Sequence, residues 1–136
     1  MTELVPSLHR AVHAIGVFLD RELGDLELTQ AEAHVLAHLA SSGSRTVGEL
    51  HRAFGHRRST LTSVLDRLEG RGCVSRELNP SDRRTFRIVS TAEVTKAGRR
   101  VLAALESIEQ AALVDVPAQD VAACSDVLAR IEAAAR

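Results

Sequence analysis

An apolar stripe with the period of an α-helix lies near the middle of the chain. Its members recur at i, i+3, i+4 and i+7, which is the pattern of one buried helix face. The opposite face carries hydroxyls, small residues and charges, and Gly72 stands where a C′ glycine would end the helix. The stripe consists of Leu61, Val64, Leu65 and Leu68, and the polar face and its flanks consist of Ser59, Thr60, Thr62, Ser63, Asp66, Arg67 and Gly70.

A β-hairpin is predicted directly after this helix. Two runs alternate as strands do on either side of residues 79–84 (NPSDRR), a turn-forming segment with arginines at its tip. A hydroxyl-faced helix followed by a basic-tipped hairpin is the layout of a winged helix, and hydroxyls can bond to base edges and phosphates. We therefore interpret this region as a DNA reader. The alternating runs are Val74, Arg76, Leu78 and Phe86, Ile88, Ser90.

Two capping boxes mark helix starts ahead of the hydroxyl-faced helix. Thr29 with Glu32 forms the first and Thr46 with Glu49 the second, because each pair places a hydroxyl three residues before a carboxylate. They follow a first helix that is predicted over residues 3–23. The second box opens a short helix, and two short helices joined by a turn form a helix-turn-helix.

Two further helices are predicted after the hairpin, from Thr95 to about Leu113 and from Pro117 to about Ala134. Together with the first helix they carry more apolar surface than a three-helix core can cover, so we expect a second copy of the chain to cover it. The expected fold is mainly α, with about six helices, a small hairpin wing, and a dimer formed through the terminal helices. A single domain, 1–136, would comprise a winged-helix lobe at about 28–95 and dimerisation helices at about 3–24 and 95–135.

Charge is distributed unevenly along the chain. The overall charge of −1 by itself argues against a nucleic-acid-binding protein. Residues 45–100, however, carry twelve arginines and Lys96 against six acidic residues, a local charge of +7, and the remainder carries −8. A basic middle between acidic ends is typical of a DNA-binding core with separate non-DNA elements.

Export and disulfide patterns are lacking in this sequence. It has neither a signal-peptide pattern nor a run of apolar residues long enough for a membrane helix, which favours the cytoplasm. Cys73 and Cys124 do not make a disulfide framework in such a chain, and we expect both thiols to be buried in the core.

Three segments resemble the MarR family of bacterial transcriptional regulators. They are LTQAEAHVLAHLA at 28–40, LDRLEGRG at 65–72 and NPSDRR at 79–84. The family pattern has a Leu-Thr-x-x-Gln/Glu helix start, a Thr-containing recognition helix ending in Leu-Glu-x-x-Gly, and an Asp-x-Arg in the wing. All three occur in the right order, and the resemblance extends over roughly residues 8–134.

One departure from the family pattern concerns the exit from the wing. The family usually leaves about five residues between the wing arginine and a Leu-Thr pair that opens the next helix. If Val94-Thr95 is that pair, nine residues follow Arg84. We therefore expect a longer wing, in which Arg83 could replace Arg84 at the tip.

The resemblance assigns DNA-contacting roles to particular positions. The hydroxyl-faced helix would enter the major groove, and Arg84 would enter the minor groove, steadied by Asp82. Residues at the start of the helix lie where exposed N–H groups already attract phosphate. An ordinary solvated helix face and an arginine-rich turn without DNA are the alternatives. The predicted DNA-binding residues are Arg57, Arg58, Ser59, Thr60, Thr62, Ser63, Arg67, Asp82, Arg83 and Arg84.

The implied function is a homodimeric repressor of transcription on a pseudo-palindromic operator. Family members can be released by small-molecule effectors, but three phenylalanines and no Trp or Tyr offer little stacking. An aliphatic effector, or none, is thus as good an expectation as a phenolic one. No cofactor is expected, and no HExxH, GxSxG, P-loop or GxGxxG motif points to an enzyme.

Two alternative functions remain open. A winged helix can serve protein–protein contact, with its basic face against an acidic partner. The i, i+4 pairs His9/His13 and His34/His38 could instead hold Zn²⁺ in a zinc-responsive regulator, although each pair lacks acidic or thiolate partners nearby in sequence. We expect no metal site.

Overall fold

Six α-helices and one three-stranded antiparallel sheet make up residues 2–136, which a computed structural model describes. The mainly α class and the hairpin wing are confirmed. The chain divides into two compact units, one ending at Ala104 and one starting at Leu105. The elements are α1 (Leu4–Leu23), a 3₁₀ turn (Gly24–Leu26), α2 (Gln30–Ser42), β1 (Arg45–Thr46), α3 (Val47–Phe54), α4 (Arg58–Gly70), β2 (Val74–Asn79), β3 (Asp82–Ser90), α5 (Ala92–Ala112) and α6 (Ala118–Ala134).

The core of the first unit is centred on the apolar stripe of α4. Every member of that stripe is at most 1 % exposed, as its helical spacing predicted. Side chains from α2, α3 and the sheet pack around it, so α4 is held on one side while its polar face remains free. The buried cluster is Val35, Leu36, Leu39, Leu50, Leu61, Val64, Leu65, Leu68, Cys73, Val74 and Ile88.

The sheet has the strand order β1-β3-β2. The hairpin of β2 and β3 was predicted, and its register pairs Arg76 with Ile88 and Leu78 with Phe86. Strand β1 was not predicted because two residues, Arg45 and Thr46, are too few to show a period. Because it pairs with β3 and leads directly into α3, it connects the wing to the helix-turn-helix.

Only one of the two predicted capping boxes is complete. At the start of α2, Glu32 N donates to Thr29 Oγ1 (3.2 Å) and Thr29 N donates to Glu32 Oε2 (3.3 Å). At the start of α3, Glu49 N donates to Thr46 Oγ1 (3.1 Å), but the return bond is not formed. The reason is local: Thr46 belongs to β1, and the Glu49 carboxylate pairs with Arg45 at 3.5 Å instead.

The predicted start of α5 at Thr95 is wrong by three residues, because the helix begins at Ala92. Thr95 already donates its backbone N–H to Thr91 O (2.9 Å) inside the first turn. The segment that opens α5 is therefore Ser90-Thr91, which five residues separate from Arg84. The expected lengthening of the wing is also wrong, since the additional residues belong to the helix.

Helix α5 crosses α2 at Gly98, which is buried. A Cβ on this glycine would stand 2.7 Å from Leu36 O, so no other residue allows the two helices to approach this closely. No helix among residues 2–136 is long and apolar enough to cross a membrane.

The second unit contains the end of α5 and all of α6. Helix α6 has no buried residue, and its apolar positions include Val127 and Leu128, 39 % and 40 % exposed. Cys124 is exposed as well, so the expectation of a buried thiol holds for Cys73 alone. Cys124 lies on the apolar stripe of α6, no member of which is fully buried.

Candidate nucleic-acid interface

The two ends of α4 are built differently. Arg57, the residue before its first turn, provides no side-chain cap, so the N–H groups of that turn are left for other partners. The other end is closed by a Schellman motif: Gly72 N donates to Glu69 O (2.9 Å) and Cys73 N to Leu68 O (2.8 Å). Gly72 has φ 72°, which confirms its predicted role in ending the helix.

The free face of α4 is polar and solvent-exposed along its length. The four hydroxyl-bearing residues on it are all exposed, as are the two arginines at its start. Exposed hydroxyls on a rigid helix can reach base edges, and arginines beside a helix N-terminus can reach phosphates. The structure thus places six of the predicted DNA-binding residues on one surface: Arg57, Arg58, Ser59, Thr60, Thr62 and Ser63.

Arg67 has a structural partner that the sequence pattern did not show. Its Nε donates to Glu32 Oε1 at 2.9 Å, and Glu32 is buried at the start of α2. Arg71 Nη1 lies 3.5 Å from the other carboxylate oxygen of Glu32. The pair joins α4 to α2, and Arg67, with half of its side chain exposed, remains at the edge of the polar face. Contact between Arg67 and DNA stays a prediction.

At the tip of the wing, an exposed arginine is oriented by a neighbouring carboxylate. Arg84 Nε donates to Asp82 Oδ1 at 3.1 Å, and the backbone N–H of Arg84 donates to the same oxygen at 3.1 Å. These bonds hold the pKa of Asp82 below its usual value, with the side-chain bond as the larger cause. The Arg84 side chain is nonetheless 91 % exposed, so Asp82 orients a guanidinium that is free to bind. Arg83 is also exposed.

Arg76 forms hydrogen bonds that connect the wing to α4. It lies on β2 and donates through Nη2 to Asp66 Oδ1 (2.8 Å) and through Nη1 to Glu69 Oε2 (3.0 Å), both on α4. The bond to Asp66 is the main cause of the raised pKa of Arg76. Helix α4 and the wing are therefore joined by charge-assisted hydrogen bonds as well as by the core.

The histidines of α2 lie beside the helix-turn-helix. His38 packs edge-on against the ring of Phe54 (centroids 5.4 Å apart), and His56 stacks on the same ring at 5.7 Å. Burial, and to a lesser extent the charge of His56, lowers the pKa of His34. Within residues 2–136 no three His, Cys, Asp or Glu side chains come together as a metal site would require.

A polar recognition helix, a basic-tipped wing and a helix-turn-helix core define a winged helix-turn-helix protein of the DNA-binding class. The model of the MarR family matches residues 28–86, which run from the start of α2 into β3. Over this winged-helix lobe the chain therefore matches the MarR family of transcriptional regulators. The predicted resemblance is confirmed.

Solved structures of regulators extend the likeness beyond the lobe. MarR from E. coli in its reduced form is 25 % identical with a TM-score of 0.72, covering 96 % of this chain and 97 % of that one. MarR from Oenococcus oeni is 18 % identical with a TM-score of 0.79 and 94 % of both chains covered. BpsR from Bordetella bronchiseptica, whose DNA binding is regulated by 6-hydroxynicotinic acid, is 21 % identical with a TM-score of 0.71, covering 96 % and 98 %.

Proposed function

We propose that this regulator is a homodimeric repressor that blocks transcription by occupying a pseudo-palindromic operator. The observation that supports this most directly is the pairing, on one rigid lobe, of the exposed hydroxyl face of α4 with Arg84 held outward by Asp82. The hydroxyls would read bases in the major groove, and Arg84 would enter the narrow, strongly negative minor groove. Arg57, Arg58 and Arg67 would add phosphate contacts at either end of the face.

The dimer is inferred from uncovered apolar surface at both ends of the chain. On α1, Val5 is 60 % exposed and Val12 is 55 % exposed. In the second unit, Val114 is 67 % exposed and Val116 39 %, and α6 buries nothing. Surfaces of this kind favour association with a second copy, and twofold symmetry would present two recognition helices about one DNA turn apart.

A small effector would act at a cavity in the first unit. The cavity has a volume of about 230 Å³ and lies among α1, the 3₁₀ turn, α2 and α5. Its walls are mainly aliphatic, with Leu19, Leu23 and Val101 among them, and it contains no aromatic side chain. An aliphatic ligand fits this lining better than one that needs stacking. Such a ligand would release the operator by changing the spacing of the two recognition helices.

A gel shift on the DNA that flanks the gene of this protein tests the proposal. We expect a saturable complex at nanomolar to micromolar protein that survives an excess of scrambled duplex. The competing proposal, a winged helix used for protein–protein contact, expects no complex with any such fragment even at low salt. Ser63→Ala serves as an internal control, because it should weaken only the complex that survives competition.

A further inference from the structure

Two large apolar side chains are exposed on the wing, where solvent should disfavour them. Leu78 on β2 is 56 % exposed and Phe86 on β3 is 47 % exposed. They are cross-strand partners in the register of the hairpin and therefore lie side by side on one face. The wing thus presents a continuous apolar patch formed by these two residues, next to the exposed Arg84.

The patch lies on the face of the wing that is turned toward the helix-turn-helix. Side chains two residues apart on a strand share a face, so Leu78 follows Arg76 and Phe86 precedes Ile88 on the same side of the sheet. Ile88 is fully buried in the core, and Arg76 bonds to two carboxylates of α4. The patch therefore does not lie on the face of the wing that points away from the helix-turn-helix. It extends the core face toward the wing tip.

A cleft of about 520 Å³ separates this face of the wing from α3. Phe86 and Arg84 lie on the wing side, and Gly48 and Arg52 lie on the α3 side. The Nη1 atom of Arg52 is 3.8 Å from the point where a Cβ on Gly48 would stand, which places its guanidinium beside the first turn of α3. The one acidic residue that lines the cleft, Asp82, is already paired with Arg84.

We propose that this wing cleft holds the sugar–phosphate backbone of one DNA strand, with deoxyribose against Phe86 and a phosphate beside Arg52. An apolar wall next to two cations matches a strand backbone, in which each apolar sugar edge adjoins an anionic phosphate. A protein partner with an acidic, apolar segment is the other occupant with this chemistry. DNA is favoured because the cleft is continuous with Arg84, which the proposed function already places in the minor groove.

The two walls of the cleft should contribute differently to affinity, and this proposal rests on the DNA-binding function proposed above. Phe86→Ser removes apolar contact without changing charge, so we expect about tenfold weaker binding per subunit at every salt concentration. The log–log salt slope should not change. Arg52→Gln removes one phosphate contact, so the slope should become shallower by about 0.9 per subunit. Both losses should be equal on cognate and scrambled duplexes, because neither contact reads a base.

Binding isotherms of the full chain across a salt series make the test. Ser75→Ala, on the opposite face of the wing, and Arg99→Gln, an exposed arginine on α5, are the matched controls and should leave affinity and slope unchanged. Phe86→Leu should retain most of the affinity because it keeps an apolar side chain. Should Phe86→Ser prove unfolded by circular dichroism, Phe86→Thr repeats the test with a residue that strands favour.

Two outcomes would overturn the inference in distinguishable ways. If Phe86→Ser and Arg52→Gln bind DNA as well as the parent while Ser63→Ala weakens cognate binding, the cleft does not hold DNA although the proposed function stands. If the parent chain binds no duplex at low salt, the proposed function fails and the wing cleft fails with it.

Discussion

Exposed side chains of the DNA-reading lobe divide into those that carry charge and those that carry hydroxyls. Arg84 is oriented by Asp82 at the wing tip, whereas Thr62 and Ser63 stand on the free face of α4. Charge acts on every phosphate alike, but a hydroxyl bonded to a base edge discriminates among sequences. Substitutions at the two places should therefore have different thermodynamic signatures.

Arg84→Ala should weaken binding to many sequences alike, because its contact reads groove shape and charge. We expect the log–log salt slope to become shallower by about 0.9 for each lost contact, or roughly two for a dimer. Isotherms over a salt series measure this. If Arg83→Ala changes affinity and slope while Arg84→Ala changes neither, the contact belongs to Arg83. If neither arginine matters, the wing does not touch DNA.

Thr62→Ala or Ser63→Ala should cost roughly 1–3 kcal/mol per base contact on the cognate site and little on random DNA. The reason is that each change removes a hydrogen bond to a base edge and leaves the charge intact. The measurement is competition between cognate and scrambled duplexes at one salt concentration. An equal loss on both duplexes would mean that the hydroxyl contacts a phosphate instead.

His34 should make folding stability depend on pH. Burial lowers the pKa of His34 in the folded chain, so below about pH 6.5 the unfolded chain takes up the proton first. Stability should then fall as the pH drops through about 6.5, because the unfolded chain binds the proton more tightly than the folded chain does. His34→Gln should reduce this fall in Tm, whereas His9→Gln, at an exposed position on α1, should not. Equal pH profiles for parent and His34→Gln would contradict the prediction.

At the scale of elements, long periodic segments could be predicted from sequence and short ones could not. Helix α4 was anticipated because four apolar residues recur at helical spacing and Gly72 follows. Strand β1 has two residues, so its existence depends on pairing with β3 and leaves no local pattern. The start of α5 was misplaced because Val94-Thr95 imitates a family motif, although the chain already turns helical after Thr91.

In the candidate site, too, features set by local sequence could be predicted, whereas features set by tertiary packing could not. The exposed face of α4 and the turn of the wing follow from local sequence, since period and turn residues fix both. The bond between Arg67 and Glu32 joins residues 35 positions apart and could not be inferred from spacing. The wing cleft likewise depends on the packing of β3 against α3, which no single segment specifies.

Gly98→Ala should destabilise the protein by about 1–3 kcal/mol, because its new methyl group would overlap Leu36 O where α5 crosses α2. Urea unfolding at a fixed protein concentration measures this. The matched control is Gly70→Ala, at an exposed position on α4 where nothing lies within 4 Å of the new Cβ. It should cost nothing and gain up to about 1 kcal/mol from helix propensity. Similar losses in both variants would show that the crossing can relax.

For the whole molecule, the terminal helices should decide whether the chain persists alone. Truncation after Val116 removes α6 and should leave an aggregating or unfolded product, because the proposed dimer that would cover the apolar surface of the terminal helices could no longer form. Sedimentation of the full and truncated chains tests this. A soluble, monodisperse monomer in either case would contradict the dimer. Since a dimer gains stability with concentration, the Tm of the full chain should also rise on concentrating it.

The bonds from Arg76 to Asp66 and Glu69 join helix α4 and the wing, so that each subunit of the proposed dimer would contact DNA with one rigid unit. Because helix and wing would move together, we expect the pattern of bases read within a half-site to stay the same. In the proposed dimer, an effector would then regulate DNA binding only by changing the distance between the two DNA-binding lobes. An inducer would change how often the operator is occupied without changing its consensus. Operators altered in the number of central base pairs, rather than in the half-sites, would reveal the induced conformation.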